Sequence, residues 1–157
     1  MDKVLYAASS FGHLRSFHIP YLRALLDRGD EVWALASGDP AGLPDGLRTV
    51  RVPFTKSMTS AHNVEAAGEV ARLVRRERFD LVVTHTSLAA FFVRLGICQA
   101  GKRDAAVVNV VHGYLFDERT SRPRRTVMLG AEQLMARVTD RIVTMNRQDT
   151  EIARRHR

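Results

Sequence analysis

Cysteine is almost absent from this 157-residue chain, and the one thiol, Cys98, falls within an apolar stretch. A single cysteine excludes a disulfide framework. No cysteines and histidines stand at the spacing of a zinc-binding motif, so the sequence predicts no metal site. We expect Cys98 to be a buried, reduced thiol.

Long hydrophobic runs are also missing. The best candidate, residues 88–100, contains Arg94 and falls short of the ~20 apolar residues that a membrane-spanning helix needs. The N-terminal residues lack the extended apolar core and the cleavage-like end of a secretory signal. The sequence therefore predicts a soluble, cytoplasmic protein.

The chain is strongly basic, with 24 Lys and Arg against 17 Asp and Glu and a net charge of +7. Most of the cations are arginines, and they group within residues 72–78, 119–125 and 154–157. Such clusters suit phosphorylated substrates, an anionic membrane surface or nucleic acid, and they also suit a plain solvated face. Nucleic acid is the weakest of these interpretations, because no helix-turn-helix pattern and no basic-aromatic interleaving is found.

Short apolar runs alternate with helical segments along the chain. The runs are residues 3–9, 31–36, 49–54, 80–84, 105–111 and 141–145, and a loop around Gly12 is predicted for residues 10–16. This alternation predicts an α/β, Rossmann-like fold, with about six strands in a mainly parallel sheet and helices on both faces. The helix after residue 123 is expected to turn a set of apolar side chains inward: Met128, Ala131, Leu134, Met135 and Val138.

Histidines follow three of the predicted strands. His13 comes after the first strand, His85 with Thr86 after the fourth, and His112 with Gly113 after the fifth. In open parallel sheets, ligands bind beyond the carboxyl ends of the strands. The coincidence predicts a ligand crevice at that edge, whereas His18 is expected to pack within a helix or lie on its surface.

His112 and Gly113 form the strongest pair. An imidazole at this position can donate a hydrogen bond to a sugar hydroxyl or act as an acid or base, although a histidine satisfied by the backbone is the alternative. Gly12 can likewise admit a phosphate towards a helix N-terminus or simply form a turn. A nicotinamide-dependent oxidoreductase is disfavoured, since the dinucleotide fingerprint needs three glycines and this loop has one. The Gly-x-Ser-x-Gly motif of many hydrolases is absent.

A set of short motifs in a fixed order carries a family resemblance. These motifs are Lys3 to Tyr6, Gly12-His13, Phe17 to Leu22, Leu25 to Val32, Pro53-Phe54 with Ser57, Phe79 to Val83 with His85-Thr86, His112 to Phe116 and Asp140 to Asn146. Taken together, they resemble the N-terminal domain of family 4 glycosyltransferases, in the subgroup linked to capsule and exopolysaccharide assembly.

The resemblance implies a GT-B architecture in which residues 1–157 are a single N-terminal, acceptor-side domain. It implies a retaining transfer from a nucleotide-sugar co-substrate, with no metal and no other cofactor. The donor-binding C-terminal domain of the family, with its Glu-x7-Glu element, is absent from the sequence, so we expect the isolated chain to be inactive. The alternative is a non-catalytic subunit that recruits the acceptor or the membrane in a split glycosyltransferase.

The resemblance also implies roles for individual residues. His112 approaches the transferred sugar and is the predicted catalytic residue. The residues expected near the donor diphosphate and sugar are Gly12, His13 and Gly113. The residues expected on the acceptor side are His85, Thr86, Tyr114 and Phe116. The expected partners are a nucleotide-sugar, a glycan or lipid-linked acceptor and, peripherally, the anionic inner face of the cell membrane, but no nucleic acid.

Overall fold

The structure, a computed structural model, describes residues 1–101, 104–114, 116 and 120–155. Along most of these residues strands and helices alternate, as predicted. In chain order the elements are β1 (Lys3–Ser10), α1 (Phe11–Phe17), α2 (Ile19–Asp27), β2 (Glu31–Ser37), β3 (Arg48–Arg51), α3 (Ala61–Glu77), β4 (Leu81–His85), α4 (Ser87–Gln99), β5 (Ala106–Val111), α5 (Arg122–Ala136), β6 (Arg141–Thr144) and α6 (Arg147–Arg155). Within these ranges, no helix combines the length and the apolar character needed to cross a bilayer.

The strands form one sheet in the order β3-β2-β1-β4-β5-β6. Every strand pair in the described ranges is parallel, and Val4 of β1 lies opposite Val32 on one side and Leu81 on the other. The predicted Rossmann-like parallel sheet is therefore confirmed. From β1, the next two strands along the chain, β2 and β3, extend the sheet towards one edge, and β4 to β6 extend it towards the other. The strand order therefore reverses between β1 and β4. A reversal of this kind opens a crevice at the carboxyl ends of the strands.

β1 is buried on both of its faces, because helices cover the sheet from both sides. Leu5 and Ala7 pack with α3 and α4 in one apolar core. Tyr6 and Ala8 pack with α1 and α2 in the other. Each large aliphatic side chain buried in these cores contributes about 1.5–3 kcal/mol to the free energy of unfolding. The two cores together fix β1 as the reference strand for the crevice.

The loop predicted for residues 10–16 is wrong, because helix α1 starts directly after β1. Ser10 caps this helix, and its Oγ accepts a hydrogen bond from the His13 amide at 3.1 Å. Phe11 and Leu14, three residues apart and hence on the same helix face, are both fully buried. Gly12 has an ordinary helical backbone, so the alternative in which it forms a turn is also wrong.

Two predictions of burial are wrong. Cys98 is exposed, because it follows the last residues that α4 packs into the core, Gly96 and Ile97. In α5, Met135 is buried, yet Leu134 is 47% exposed. The reason is that α5 packs mainly along α4 rather than on the sheet, which leaves much of its apolar surface uncovered.

Arg94 interrupts the apolar segment of α4 and links it to α5. Its side chain is 1% exposed, and its Nη2 lies 3.0 and 3.1 Å from the two carboxylate oxygens of Glu132 in α5. Its Nε donates to the carbonyl of Ala90 at 3.0 Å. Removing Glu132 would leave the charge of Arg94 buried without its partner, which costs about 3–5 kcal/mol. The ion pair therefore holds α5 in place beside α4.

Gly96 allows the backbones of α3 and α4 to approach closely. A Cβ atom at this position would lie 2.5 Å from the carbonyl oxygen of Ala67 and 2.8 Å from Cβ of Val70. Backbone atoms cannot move aside as a flexible side chain can. The absence of a side chain at residue 96 therefore sets the spacing of the two helices.

We expect Gly96→Ala to lower the free energy of unfolding by about 1–3 kcal/mol through overpacking, although alanine is intrinsically the better helix former. Urea unfolding followed by circular dichroism measures this change. The matched control is Gly130→Ala in α5, where an added Cβ meets no atom within 4 Å and alanine should stabilise the helix. A Gly96→Ala variant as stable as the parent would show that the two helices are not in close contact.

Candidate functional site

Side-chain hydrogen bonds join the carboxyl ends of β1, β4 and β5. The amide of Ser9 donates to Thr86 Oγ1 at 3.1 Å and links β1 to β4. Ser87 Oγ donates to the carbonyl of Gly113 at 2.5 Å and links β4 to β5. Thr86 and Gly113 have positive φ angles of 63° and 127°, so the chain turns sharply as it leaves β4 and β5. For Thr86 this conformation costs on the order of 1–3 kcal/mol, as is common at functional sites.

Four histidines meet at this edge of the sheet, and we call them the histidine cluster: His13, His18, His85 and His112. His18 Nε2 lies 3.2 Å from His13 Nε2, and His85 Nδ1 lies 3.1 Å from His112 Nε2. The rings of His18 and His85, 4.2 Å apart between centroids, bring these two pairs into contact. His18 and His85 are buried, His13 is partly buried and His112 is exposed. The cluster thus extends from the core to the solvent.

Tyr6 of β1 is buried and contacts two members of the cluster, His18 and His85. Its hydroxyl lies 2.9 Å from His18 Nδ1, and its ring stacks on His85 with 4.6 Å between centroids. Burial, with a smaller contribution from the nearby Tyr21, raises the pKa of the Tyr6 phenol. The phenol stays protonated at neutral pH and keeps the ring of His18 in one orientation.

Burial lowers the pKa of every histidine in the cluster. The pKa of His85 falls to about 3, chiefly through burial and further through the neighbouring histidines, and that of His18 falls to about 4 for the same reasons. The pKa of His13 is lowered by burial and then by His112, and the pKa of His112 is lowered by burial. At neutral pH the four rings are uncharged, and each offers one N–H donor and one nitrogen lone pair.

His85 has one unsatisfied nitrogen. Its Nε2 is buried and has no hydrogen-bond partner among the residues that the structure describes. Its Nδ1 faces His112 Nε2, so one of these two nitrogens carries a hydrogen and the other accepts it. Buried polar atoms are usually paired, and an unpaired one in a crevice is typical of a site that binds a ligand.

A cavity of about 580 Å³ lies beside the histidine cluster, within the size range of small-molecule sites. Its polar wall consists of Tyr6, His18, His85 and His112. Its remaining wall comes from α2 and from the ends of β5 and β6, and includes the following residues: Tyr21, Arg28, Val110, Val143 and Met145. The histidines therefore meet a space large enough for a sugar ring.

A second cavity of about 370 Å³ lies between α4 and α5, on the other face of the sheet. Its lining is mainly apolar and includes the following residues: Met58, Phe91, Tyr114, Phe116, Val127 and Met128. The rings of Tyr114 and Phe116 pack with 5.2 Å between centroids. The exposed Arg124 stands at its border, so an apolar group with an anionic end would fit this cavity.

The structure brings most of the predicted site residues to one edge. His13, His85 and His112 meet in the cluster, and Gly12 lies in the first turn of α1, directly before His13. The predicted acceptor-side set is divided, however. His85 and Thr86 lie at the cluster, whereas Tyr114 and Phe116 line the second cavity. The functional roles of all these residues remain predictions.

Two members of the site, Tyr6 and His18, were not predicted. Tyr6 lies within an apolar strand, where an aromatic residue indicates core packing. His18 stands at the junction of α1 and α2, with φ −121° and ψ 0°, and it is 4% exposed. Pro20 in the first turn of α2 is the signal that could have located this junction, because proline favours the start of a helix. The break at the junction lets two histidines five residues apart meet.

Comparison of the sequence with known proteins identifies the family of this chain. The family model of Glycosyltransferase Family 4 matches residues 21–157. EpsD of Bacillus subtilis (strain 168), itself provisionally assigned as a glycosyltransferase, is 24% identical over 147 residues, which cover 94% of this chain and 38% of EpsD. The UDP-Gal:alpha-D-GlcNAc-diphosphoundecaprenol alpha-1,3-galactosyltransferase of Escherichia coli is 26% identical over 111 residues, which cover 70% of this chain and 28% of that enzyme.

Solved structures show the same fold at low sequence identity. MurG of Acinetobacter baumannii aligns with a TM-score of 0.60 and 12% identity, over 92% of this chain and 41% of that one. A Listeria monocytogenes protein, provisionally assigned as a UDP-N-acetylglucosamine 2-epimerase, aligns with a TM-score of 0.67 and 12% identity, over 98% of this chain and 42% of that one. This chain therefore spans less than half the length of the relatives named here. Its Rossmann-like sheet and the match over residues 21–157 show that it belongs to Glycosyltransferase Family 4.

Proposed function

We propose that this chain is the N-terminal, acceptor-side half of a retaining glycosyltransferase. In this proposal, a sugar moves from a nucleotide-sugar donor to a glycan or lipid-linked acceptor, and no metal or other cofactor takes part in the transfer. The main observation that supports this proposal is the uncharged histidine cluster, which lies where the strand order of a family 4 domain reverses. The chain spans 38% and 28% of its two curated relatives. In this proposal the donor-binding half lies outside these 157 residues, so the chain alone should be inactive.

His112 is the catalytic residue of the proposal because it is the exposed member of the cluster. Its ring is uncharged at neutral pH, since burial lowers its pKa. His85 Nδ1 lies 3.1 Å from its Nε2. A neutral imidazole held in this way can donate a hydrogen bond to the transferred sugar. That bond raises the rate to the extent that it strengthens as charge develops in the transition state.

The start of α1 is the proposed approach for the donor diphosphate. The surface above Gly12 is open, since an added Cβ would have Ser10 Oγ at 3.8 Å and Arg15 Nη2 at 3.9 Å as its nearest neighbours. The first amides of a helix point outwards and favour negative charge. His13 and Gly113 complete this side of the crevice and are assigned to the diphosphate and the transferred sugar.

The second cavity, with Tyr114 and Phe116, is assigned to the acceptor. Its apolar lining and the exposed Val127 nearby suit a lipid chain, and the exposed Arg122 and Arg124 suit an anionic head group. The related Escherichia coli enzyme is named for an acceptor that contains diphosphoundecaprenol. We therefore assign a lipid-linked diphosphate as the acceptor class, with the domain bound peripherally at the inner face of the membrane.

We expect His112→Ala to lower the turnover of the full-length protein by ~10²-fold, the effect of one positioned polar group. The measurement is the rate of sugar transfer from uridine and guanosine diphosphate sugars to lipid-linked acceptors. His62→Ala, which changes an exposed histidine of α3, is the matched control and should leave the rate unchanged. Full activity in His112→Ala, or transfer by the 157-residue chain alone, would contradict the proposal.

We expect the chain to float with liposomes that contain anionic lipid and to stay unbound with neutral liposomes, because arginines near a membrane surface each contribute about 1 kcal/mol. The double variant Arg122→Glu/Arg124→Glu should abolish flotation. The charge-matched control is Arg23→Glu/Arg51→Glu, two exposed positions in α2 and β3, and it should retain most of the binding. Equal loss in both double variants would indicate a general charge effect instead of a surface on α5.

A further inference from the structure

Three histidines of the cluster are arranged like the ligands of a metal ion. One ring nitrogen from each of His13, His18 and His112 lies within 4.8 Å of those of the other two. His13 Nε2 and His18 Nε2 are 3.2 Å apart. Two nitrogens bound to one tetrahedral zinc ion at ~2.0–2.1 Å are separated by about 3.3 Å. The spacing of this pair already matches metal coordination.

Outer hydrogen-bond partners lie within reach of two of the three rings. Tyr6 Oη lies 2.9 Å from His18 Nδ1, so it can accept the ring hydrogen of His18 when Nε2 is the ligand. His85 Nδ1 lies 3.1 Å from His112 Nε2. His85 Nδ1 can accept the Nε2 hydrogen of His112 when Nδ1 of His112 is the ligand. Metal-bound histidines usually have such partners, which fix the tautomer and the ring orientation.

The donor set favours one class of ion. Imidazole nitrogen suits zinc, copper and nickel, whereas magnesium and calcium prefer oxygen ligands. In the parts of the chain that the structure describes, the ligand group contains three histidines and no carboxylate. One of the three rings is buried, one is partly buried and one is exposed, so an ion can enter from the solvent and keep an open coordination position.

We propose that His13, His18 and His112 form a binding site for a zinc-class divalent ion, with Tyr6 and His85 as its outer hydrogen-bond partners. No zinc motif is visible in the sequence because the ligands come from α1, from the α1–α2 junction and from the position after β5. His112 lies 94 residues further along the chain than His18. An ion at this site occupies a lone pair of His112. If His112 acts in sugar transfer as proposed above, the bound ion inhibits that transfer. Only this inhibition rests on the proposed function, whereas metal binding itself does not.

The test is a titration of the untagged 157-residue chain, treated with a chelator, with Zn²⁺ by calorimetry and with Co²⁺ by visible absorption. We expect one ion per chain and the strong absorption of a tetrahedral Co²⁺ site. His13→Ala and His112→Ala, at the two more accessible positions, should each weaken binding by at least ~100-fold, more than an outer partner does. Tyr6→Phe should weaken it by ~10–100-fold while it leaves all three ligands in place.

His62→Ala is the control. His62 is an exposed histidine on α3, outside the cluster, and its Nδ1 lies 3.6 Å from Glu65 Oε2. It should bind Zn²⁺ as the parent does, and circular dichroism should show every variant folded. Absence of binding to the folded parent, or equal affinity in the parent, His13→Ala and His112→Ala, would overturn the proposal. Neither result bears on sugar transfer, because binding is measured without donor or acceptor.

Discussion

The pairing of β1 with both β2 and β4 fixes where the ends of the central strands meet. Because β1 lies between two parallel neighbours and is buried on both faces, its end has a fixed position relative to the ends of β4 and β5. The hydrogen bond from the amide of Ser9 to Thr86 joins the first two of these ends, and the bond from Ser87 to Gly113 joins the third. The residues that follow the strands must then share one crevice.

The crevice holds histidines that the protein keeps uncharged. Burial disfavours the imidazolium form, and neighbouring histidines add to this effect at His85 and His18, so the pKa of His85 falls to about 3 and that of His18 to about 4. An uncharged ring can donate one hydrogen bond and keep one lone pair. The uncharged state of the rings supports both the proposed sugar transfer and the proposed metal site. A sugar hydroxyl binds through the hydrogen bonds of the rings, and a metal ion binds through their lone pairs. Sugar and metal would compete for His112, which is the member of the cluster that solvent reaches.

Much of the fold could be predicted, because continuous apolar runs are typical of strands buried on both faces. The convergence of His13, His85 and His112 followed from the same reasoning, since parallel strands end at one edge. The helix α1 was missed, because Gly12 suggested a loop while the helical spacing of Phe11 and Leu14 spans little more than one turn. Tyr114 and Phe116 could not be separated from the cluster by sequence, since the turn at Gly113 decides which face of the sheet they join.

The strand-end crevice buries His18 and His85 as neutral rings. Unfolded histidines have a pKa of about 6.5, so between pH 6.5 and about 3 the unfolded chain takes up protons that the folded chain excludes, and stability decreases as the pH falls through this window. The direct measurement is a pH titration of the imidazole nitrogens by nuclear magnetic resonance, in the folded chain and in the urea-unfolded chain. At pH 5 we expect both rings to remain neutral in the folded chain, while the histidines of the unfolded chain are mostly protonated. Protonation of His18 and His85 near pH 6.5 in the folded chain would contradict it.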